Sequence, residues 1–474
     1  MMKKTTYLLV LLMLSLVFTG CFDDLDDDLS TTTNINDFVW KAMNLTYLYK
    51  SEIPDLADDR FTSDEGYADY LNSFSTPESI FNSLLYLPET VDKFSRIYDN
   101  YFDILNAQEG TTLTKGFEFN LYIVPGTEND VFGAVTLVLN NSPADNAGVE
   151  RGMIFRAVDD TPLTRSNLTT LLSRTTYTLN LAAYNTNGTF DFVDDDTISL
   201  TGDNINLTST TYTENPVHIA ETITSGGINI GYLMYNSFNN SFEAELNNAF
   251  ADFASSGVTE LVVDLRYNGG GSVQTAAYLA SMITGQFNGD VFSSLFYNEN
   301  LSNNDRDFNF TSTIEGVGAI NSLNLNRVYV LTTNNRTASA SELLINSLEP
   351  YIDVVVIGEN TVGKTQASIL MFDSPGLFTL DDVNPTHTYA IQPLVANSVN
   401  VNGIAVPADG LAPDIPLREV AFNLGTLGDV NEPLLAEAIA NITGIGRGFS
   451  NPVDLISLPI EPLLGPIEQT MFID

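Results

Sequence analysis

From residue 213 onward the chain alternates short apolar runs, suited to buried strands, with amphipathic runs suited to helices, and this alternation constrains the fold more than any other feature. GINIGYLMYNSF (227–238), LVVDLR (261–266), VYVLT (328–332) and DVVVIG (353–358) read as strands. Between them, Ser241 is placed to cap a helix carrying Phe242, Leu246, Phe250 and Phe253 on one face. A second helix is expected from Val273 to Ile283, and a third runs through Leu348. Strand–helix repeats of this kind build a mainly parallel sheet with helical crossovers, whose functional groups gather at the carboxyl ends of the strands.

Two turns fall at that edge. In YNGGGS (267–272), three successive glycines leave backbone N–H groups available at a helix start, a suitable hole for an oxyanion. The other turn opens the stretch RTASASELLINSLEPYIDVVVIGENTVGKT (336–365), which carries two serines at a helix start, Ser339 and Ser341, and closes on Lys364. The chain has seven lysines against a net charge of −41, and only Lys364 lies beyond residue 115. A lysine kept alone among so many carboxylates suggests a specific task. A serine at a helix start can serve as both nucleophile and oxyanion donor, but it needs a base. The two histidines, His218 and His387, stand in no motif-like setting, whereas Lys364 suits the role if burial lowers its pKa. GENTVGKT (358–365) also matches the phosphate-binding loop literally. However, the acidic strand precedes the loop instead of following it, and QASILMF, followed by DSPG, is too short and β-like for the helix that loop requires.

The N-terminus, MMKKTTYLLVLLMLSLVFTGC, reads as a secretory signal over residues 1–20, ahead of Cys21, the sole cysteine. One cysteine excludes disulfides within the chain and cysteine metal sites. The acidic residues 21–34 read as a solvated tether, and the strong negative charge argues against nucleic acid and against an anionic membrane surface as partners. Residues 35–110 read as a helical module, with Thr76-Pro77-Glu78 as an N-cap followed by proline at the first helical position. Residues 116–212 read as β-rich, with strands GFEFNLYIV, AVTLVLN and MIFRAVD, a short helix SNLTTLLSR, and an alternating strand through Tyr177, Leu179, Leu181 and Ala183. Residues 213–445 form the strand–helix region, and no element is expected in the irregular tail 446–474.

Three resemblances extend these readings. The N-terminus resembles a bacterial lipoprotein signal, which implies lipidation at Cys21 and a membrane anchor in the cell envelope, periplasmic or at the cell surface. SPADNAGVERGMIFRAVDDTPL (142–163) resembles a PDZ domain of the bacterial, circularly permuted kind. This implies peptide capture by strand addition, with the carboxylate loop near Gly116, Phe117 and Phe119, where Glu118 sits poorly beside an anion. LVVDLRYNGGGS, RTASASELL, GENTVGK and VPADGLAPDI, in that order, resemble the C-terminal processing peptidases, serine peptidases with a Ser–Lys dyad. The likeness covers Gly116 to Asp414 and is strongest from Ile230. The family spacing of twenty-five positions between nucleophile and lysine selects Ser339 with Lys364, and the carry-over assigns the oxyanion N–H groups to Gly270 and Ala340. Where the family often has glutamine four residues after the lysine, this chain has Ser368, with Gln366 nearby; these are the candidates for orienting the amine.

The resemblance therefore implies a multidomain α+β protein: a helical N-terminal module, a PDZ-like domain, and an α/β catalytic domain of crotonase/Clp-like type. It implies a membrane-anchored serine endopeptidase that holds polypeptide substrates by their C-terminal tails and needs no metal or cofactor. The alternative is a non-catalytic peptide- or ligand-binding lipoprotein on the same fold. Asp264, Arg266 and Asp414 are read as loop braces.

Overall fold

A computed structural model describes residues 32–189, 193–334, 336–376, 378–445, 455–459 and 471–472. The signal segment, Cys21 and most of the acidic tether lie outside the described residues. No described helix is long and apolar enough to cross a membrane.

The strand–helix alternation produces a six-stranded sheet in the order Val217–Ser225, Ile228–Tyr235, Glu260–Asp264, Arg327–Thr332, Asp353–Gly358, Ile415–Pro416. Its first pair is an antiparallel hairpin, and every later pairing is parallel. Both faces of the four central strands are covered, so these strands are largely apolar, whereas the edge strand Val217–Ser225 is polar and partly exposed. One face presents Leu233, Tyr235, Val263, Val328 and Val330 to the helices Glu243–Ser255, Val273–Thr284 and Ala340–Leu348. The other presents Tyr232, Met234, Val262, Tyr329 and Leu331 to the helix Pro433–Thr443. Ser241 does not cap the first of these helices: it lies in a short 3-10 turn capped by Asn239, and Phe242 is the residue that enters the helix. The Asn239 side chain reaches the Ser241 N–H first, leaving the hydroxyl no helix start to cap.

A second six-stranded sheet packs beyond the helices. Its order is Gly271–Ser272, Met471–Phe472, Gln366–Ser368, Leu394–Asn400, Val291–Tyr297, Arg306–Asn309. It joins the same core through Phe292, Leu295, Ala367, Val395 and Met471. Two pieces of the tail thus form strands where none was expected, Met471–Phe472 here and Ser457–Leu458 below. Pairs this short carry no periodicity, and their strand character comes from the partner they meet.

The β-rich region contains the antiparallel strands Phe117–Ile123, Val131–Val138, Ile154–Val158, Thr176–Asn185 and Thr197–Thr208. They enclose a core of their own with the short helix Leu168–Leu172. Gly133 is required there, because a Cβ would lie 2.0 Å from the Phe155 ring. The outer edge of Phe117–Ile123 pairs antiparallel with Ser457–Leu458.

The N-terminal region is helical, with Thr32–Thr46, Asp64–Asn72, Pro77–Ser83 and Tyr101–Gln108. Thr76 closes a capping box ahead of Pro77, as its sequence requires. Strand Arg96–Tyr98 pairs with Ala390–Gln392, and the helical core takes in Met371 and Ile391, so this region is built onto the strand–helix region.

Candidate active site

The two predicted turns meet at the carboxyl ends of Glu260–Asp264 and Arg327–Thr332. Hydroxyl groups of RTASAS join them: Thr337 Oγ1 donates to the Leu265 carbonyl at 2.9 Å, and Ser341 Oγ donates to the Asn268 carbonyl at 3.0 Å. Ser341 is thereby committed to structure. Ser339 differs from it: its Oγ is buried and has no hydrogen-bond partner among the described residues. Its backbone sits at φ 67° and ψ −117°, in the positive-φ region that non-glycine residues rarely adopt. Such strain costs about 1–3 kcal/mol and persists only where surrounding contacts enforce it.

Glu342 supplies those contacts. Its Oε2 accepts the Ser339 N–H at 2.7 Å and the Lys364 N–H at 2.9 Å. Its Oε1 accepts the Gly363 N–H at 2.6 Å and the Thr361 hydroxyl. One buried carboxylate therefore ties the serine turn to the lysine loop, and burial pushes its pKa up. Sequence reasoning passed over Glu342, although a serine followed three residues later by glutamate at a helix start is the signature of a capping box. The same carboxylate accounts for the false phosphate-loop match. It fills the Gly363 and Lys364 amides, and the chain continues into the strand Gln366–Ser368 instead of a helix.

Lys364 is completely buried. Burial, reinforced by the Arg96 charge and opposed by Asp92 and Glu342, brings its amine from an ordinary 10.5 down to about 7. The Nζ lies 5.3 Å from the centre of the Phe94 ring. Asp92 is itself held by the Tyr47 hydroxyl at 2.6 Å and the Ser95 N–H at 2.9 Å. The N-terminal region thus supplies a wall of the lysine's pocket. Nothing in the sequence links residues 92–96 to Lys364, because they are brought together by contacts between distant parts of the chain, among them the pairing of Arg96–Tyr98 with Ala390–Gln392 and the Leu394 N–H donating to Ser95 Oγ.

Other expected residues fall differently. The Gly270 N–H is not bare; it donates to Asn268 Oδ1 at 2.9 Å, a local turn that competes with any oxyanion. Ala340, the first residue of the helix, is buried beside Ser339. The two proposed orienters of the amine, Gln366 and Ser368, each donate a hydrogen bond elsewhere. Gln366 donates to the Tyr49 hydroxyl at 3.1 Å, and Ser368 Oγ donates to the Met471 carbonyl at 2.9 Å. The Gly116 N–H turns back on Thr114 Oγ1 at 3.0 Å, Phe117 is buried in the β-rich core, and Phe119 packs edge-on against Phe155. Glu118 forms an ion pair with Arg336 at 2.8 Å, joining the β-rich region to the serine turn.

The expected braces are present. Arg266 is fully buried among Asp264, Glu419 and Glu432, and Arg151 of the β-rich region reaches the same Glu419. Asp414 Oδ2 accepts the Val356 N–H at 2.8 Å. His387 pairs with Asp373 beside the N-terminal helices, at 3.0 Å. A cleft of about 860 Å³ opens between the β-rich region and the strand–helix region, lined by Phe94, Arg96, Tyr122, Thr333, Val362 and Arg418.

Residues 229–416 match the model of peptidase family S41, and residues 34–96 match the peptidase S41 N-terminal domain. Residues 229–416 thus form a peptidase family S41 domain, preceded by a segment that matches the N-terminal domain of that family. The chain is 26% identical over 224 residues to the chloroplastic C-terminal processing peptidase of Tetradesmus obliquus, covering 47% of this chain and 42% of that protein. It is 25% identical over 281 residues to the carboxyl-terminal-processing protease of a Picosynechococcus species, covering 58% and 60% respectively. It thus spans less than two thirds of the length of either relative. The crystal structure of a Bacteroides fragilis chain described as an S41 protease superposes with a TM-score of 0.68 at 27% identity, over 86% of this chain and 98% of that one.

Proposed function

We propose that the protein is a serine endopeptidase of the C-terminal processing type, in which Ser339 attacks the scissile carbonyl and Lys364 serves as general base and then general acid. The observation that carries the reading is the pairing of a buried, unpartnered hydroxyl with a lysine whose amine sits near neutrality, both on backbone held by one oxygen of Glu342. An amine of that pKa is largely uncharged just above neutral pH, where it can accept the hydroxyl proton and return it to the leaving amine. The Ala340 N–H, joined by Gly270 once it releases Asn268, would stabilise the tetrahedral oxyanion, at ~3 kcal/mol per donor.

The β-rich region would hold a substrate's C-terminal tail as a PDZ-like domain, and lipidation at Cys21 would anchor the enzyme in the cell envelope, facing exported or misfolded proteins. The cleft between that region and the lysine pocket supports this path. The test incubates lipid-free protein with an unstructured polypeptide beside Ser339→Ala and Lys364→Ala. Cleavage should vanish in both, and persistence in both would discard the dyad. Binding without cleavage by the wild type would favour the non-catalytic alternative.

A further inference from the structure

The strand edge that faces the cleft is already occupied by the chain itself. The Ile123 N–H donates to the Ile456 carbonyl at 2.9 Å, Ser457 lies opposite Tyr122, and Leu458 lies opposite Leu121. Leu458 is half-buried against the β-rich core, Leu455 packs beside Tyr122, Ala421 and Leu424, and Ile456 is 62% exposed. Leu455 to Pro459 also line the cleft, together with Phe94 and Arg96 of the lysine pocket. Successive tail residues step back along the strand from Tyr122 to Leu121, towards Glu118. An extended peptide added to this edge in the antiparallel sense would take the same course and the same backbone groups. A second tail piece, Met471–Phe472, runs parallel to Gly271–Ser272 and is buried, so the described tail is held both at the edge of the cleft and at the glycine turn.

We infer that Leu455–Pro459 is a tethered occupant of the substrate-docking edge, which an incoming polypeptide must displace before its backbone can pair with Phe117–Ile123. The inference rests on the proposed peptidase reading for its consequence, though the occupancy itself does not. The hold is suited to exchange: two residues in register, two half-buried leucines, and exposed neighbours. Tethering supplies an effective concentration in the mM range, enough to compete with a free peptide that binds weakly.

The test uses lipid-free protein in the Ser339→Ala background and a fluorescent extended peptide with a free carboxylate, read by anisotropy. Leu458→Asp should tighten peptide binding by roughly tenfold, while Val317→Asp, exposed and outside the cleft lining, should leave it unchanged. With Ser339 intact, Leu458→Asp should lower KM by the same factor at constant kcat. Ser457→Cys with Tyr122→Cys places two thiols on directly opposed residues of an antiparallel pair, at a spacing a disulfide can bridge. Oxidation should abolish peptide binding and reductant should restore it. Unchanged or weaker binding in Leu458→Asp, or full binding by the oxidised double variant, would overturn the inference. Tighter binding by Leu458→Asp in a protein that never cleaves would uphold the occupancy and sink the peptidase reading instead.

Discussion

Replacing Lys364 by methionine tests the electrostatics on which the site depends. The two side chains are close in length and the pocket is closed, so the main change is removal of a titratable amine. In the folded protein that amine titrates at about 7, against 10.5 when exposed. Each unit is worth about 1.4 kcal/mol, so a charged Lys364 burdens the folded state by about 5 kcal/mol at pH 6, where both states are protonated. The folded pKa is the lower one, so unfolding takes up a proton between pH 7 and 10.5, and the wild type gains stability as pH rises through that window. Methionine carries no such proton. Lys364→Met should therefore exceed the wild type in stability by several kcal/mol at pH 6, by about 3 kcal/mol at pH 8.5, and by little near pH 10.5, less about 1 kcal/mol for each hydrogen bond the amine gives up. Urea unfolding of both proteins across that range measures the difference. A stability difference that does not change with pH would show that the amine is not desolvated, and the general-base assignment would fall with it. In the wild type, kcat/KM should rise with pH to a plateau just above 7, and Lys364→Met should show no cleavage at any pH.

Ser339→Gly should abolish cleavage yet raise thermal stability by about 1 kcal/mol, because glycine adopts φ 67° without steric cost; a lower melting temperature would refute the strain. In Glu342→Gln an NH2 group replaces one acceptor whichever way the amide turns, orphaning two donors of the serine turn or the lysine loop. The expected result is a loss of about 1–3 kcal/mol in stability per orphan and a kcat roughly 100-fold lower with little change in KM; unaltered kcat would show that Glu342 does not set the geometry.

Periodicity and turn chemistry alone carried a large part of the protein. The apolar runs at Leu261–Arg266, Val328–Thr332 and Asp353–Gly358 could only be buried strands, and their alternation with helical runs dictated the parallel sheet. The Thr76-Pro77 start, the Ser339 helix start and the isolation of Lys364 were likewise legible, because each is a local choice of residue with a local physical cost. Contacts between residues distant along the chain were not legible. Gly270 loses its N–H to Asn268, Gln366 its amide to Tyr49, and Ser368 its hydroxyl to Met471. The pocket that strips the lysine of water is walled by Phe94 and Arg96, and Glu118 is answered by Arg336. A residue's type records what it can bond; only the packed chain decides which partner arrives first, since hydrogen bonds and charges act over a few ångströms of space, however far apart along the chain the groups lie.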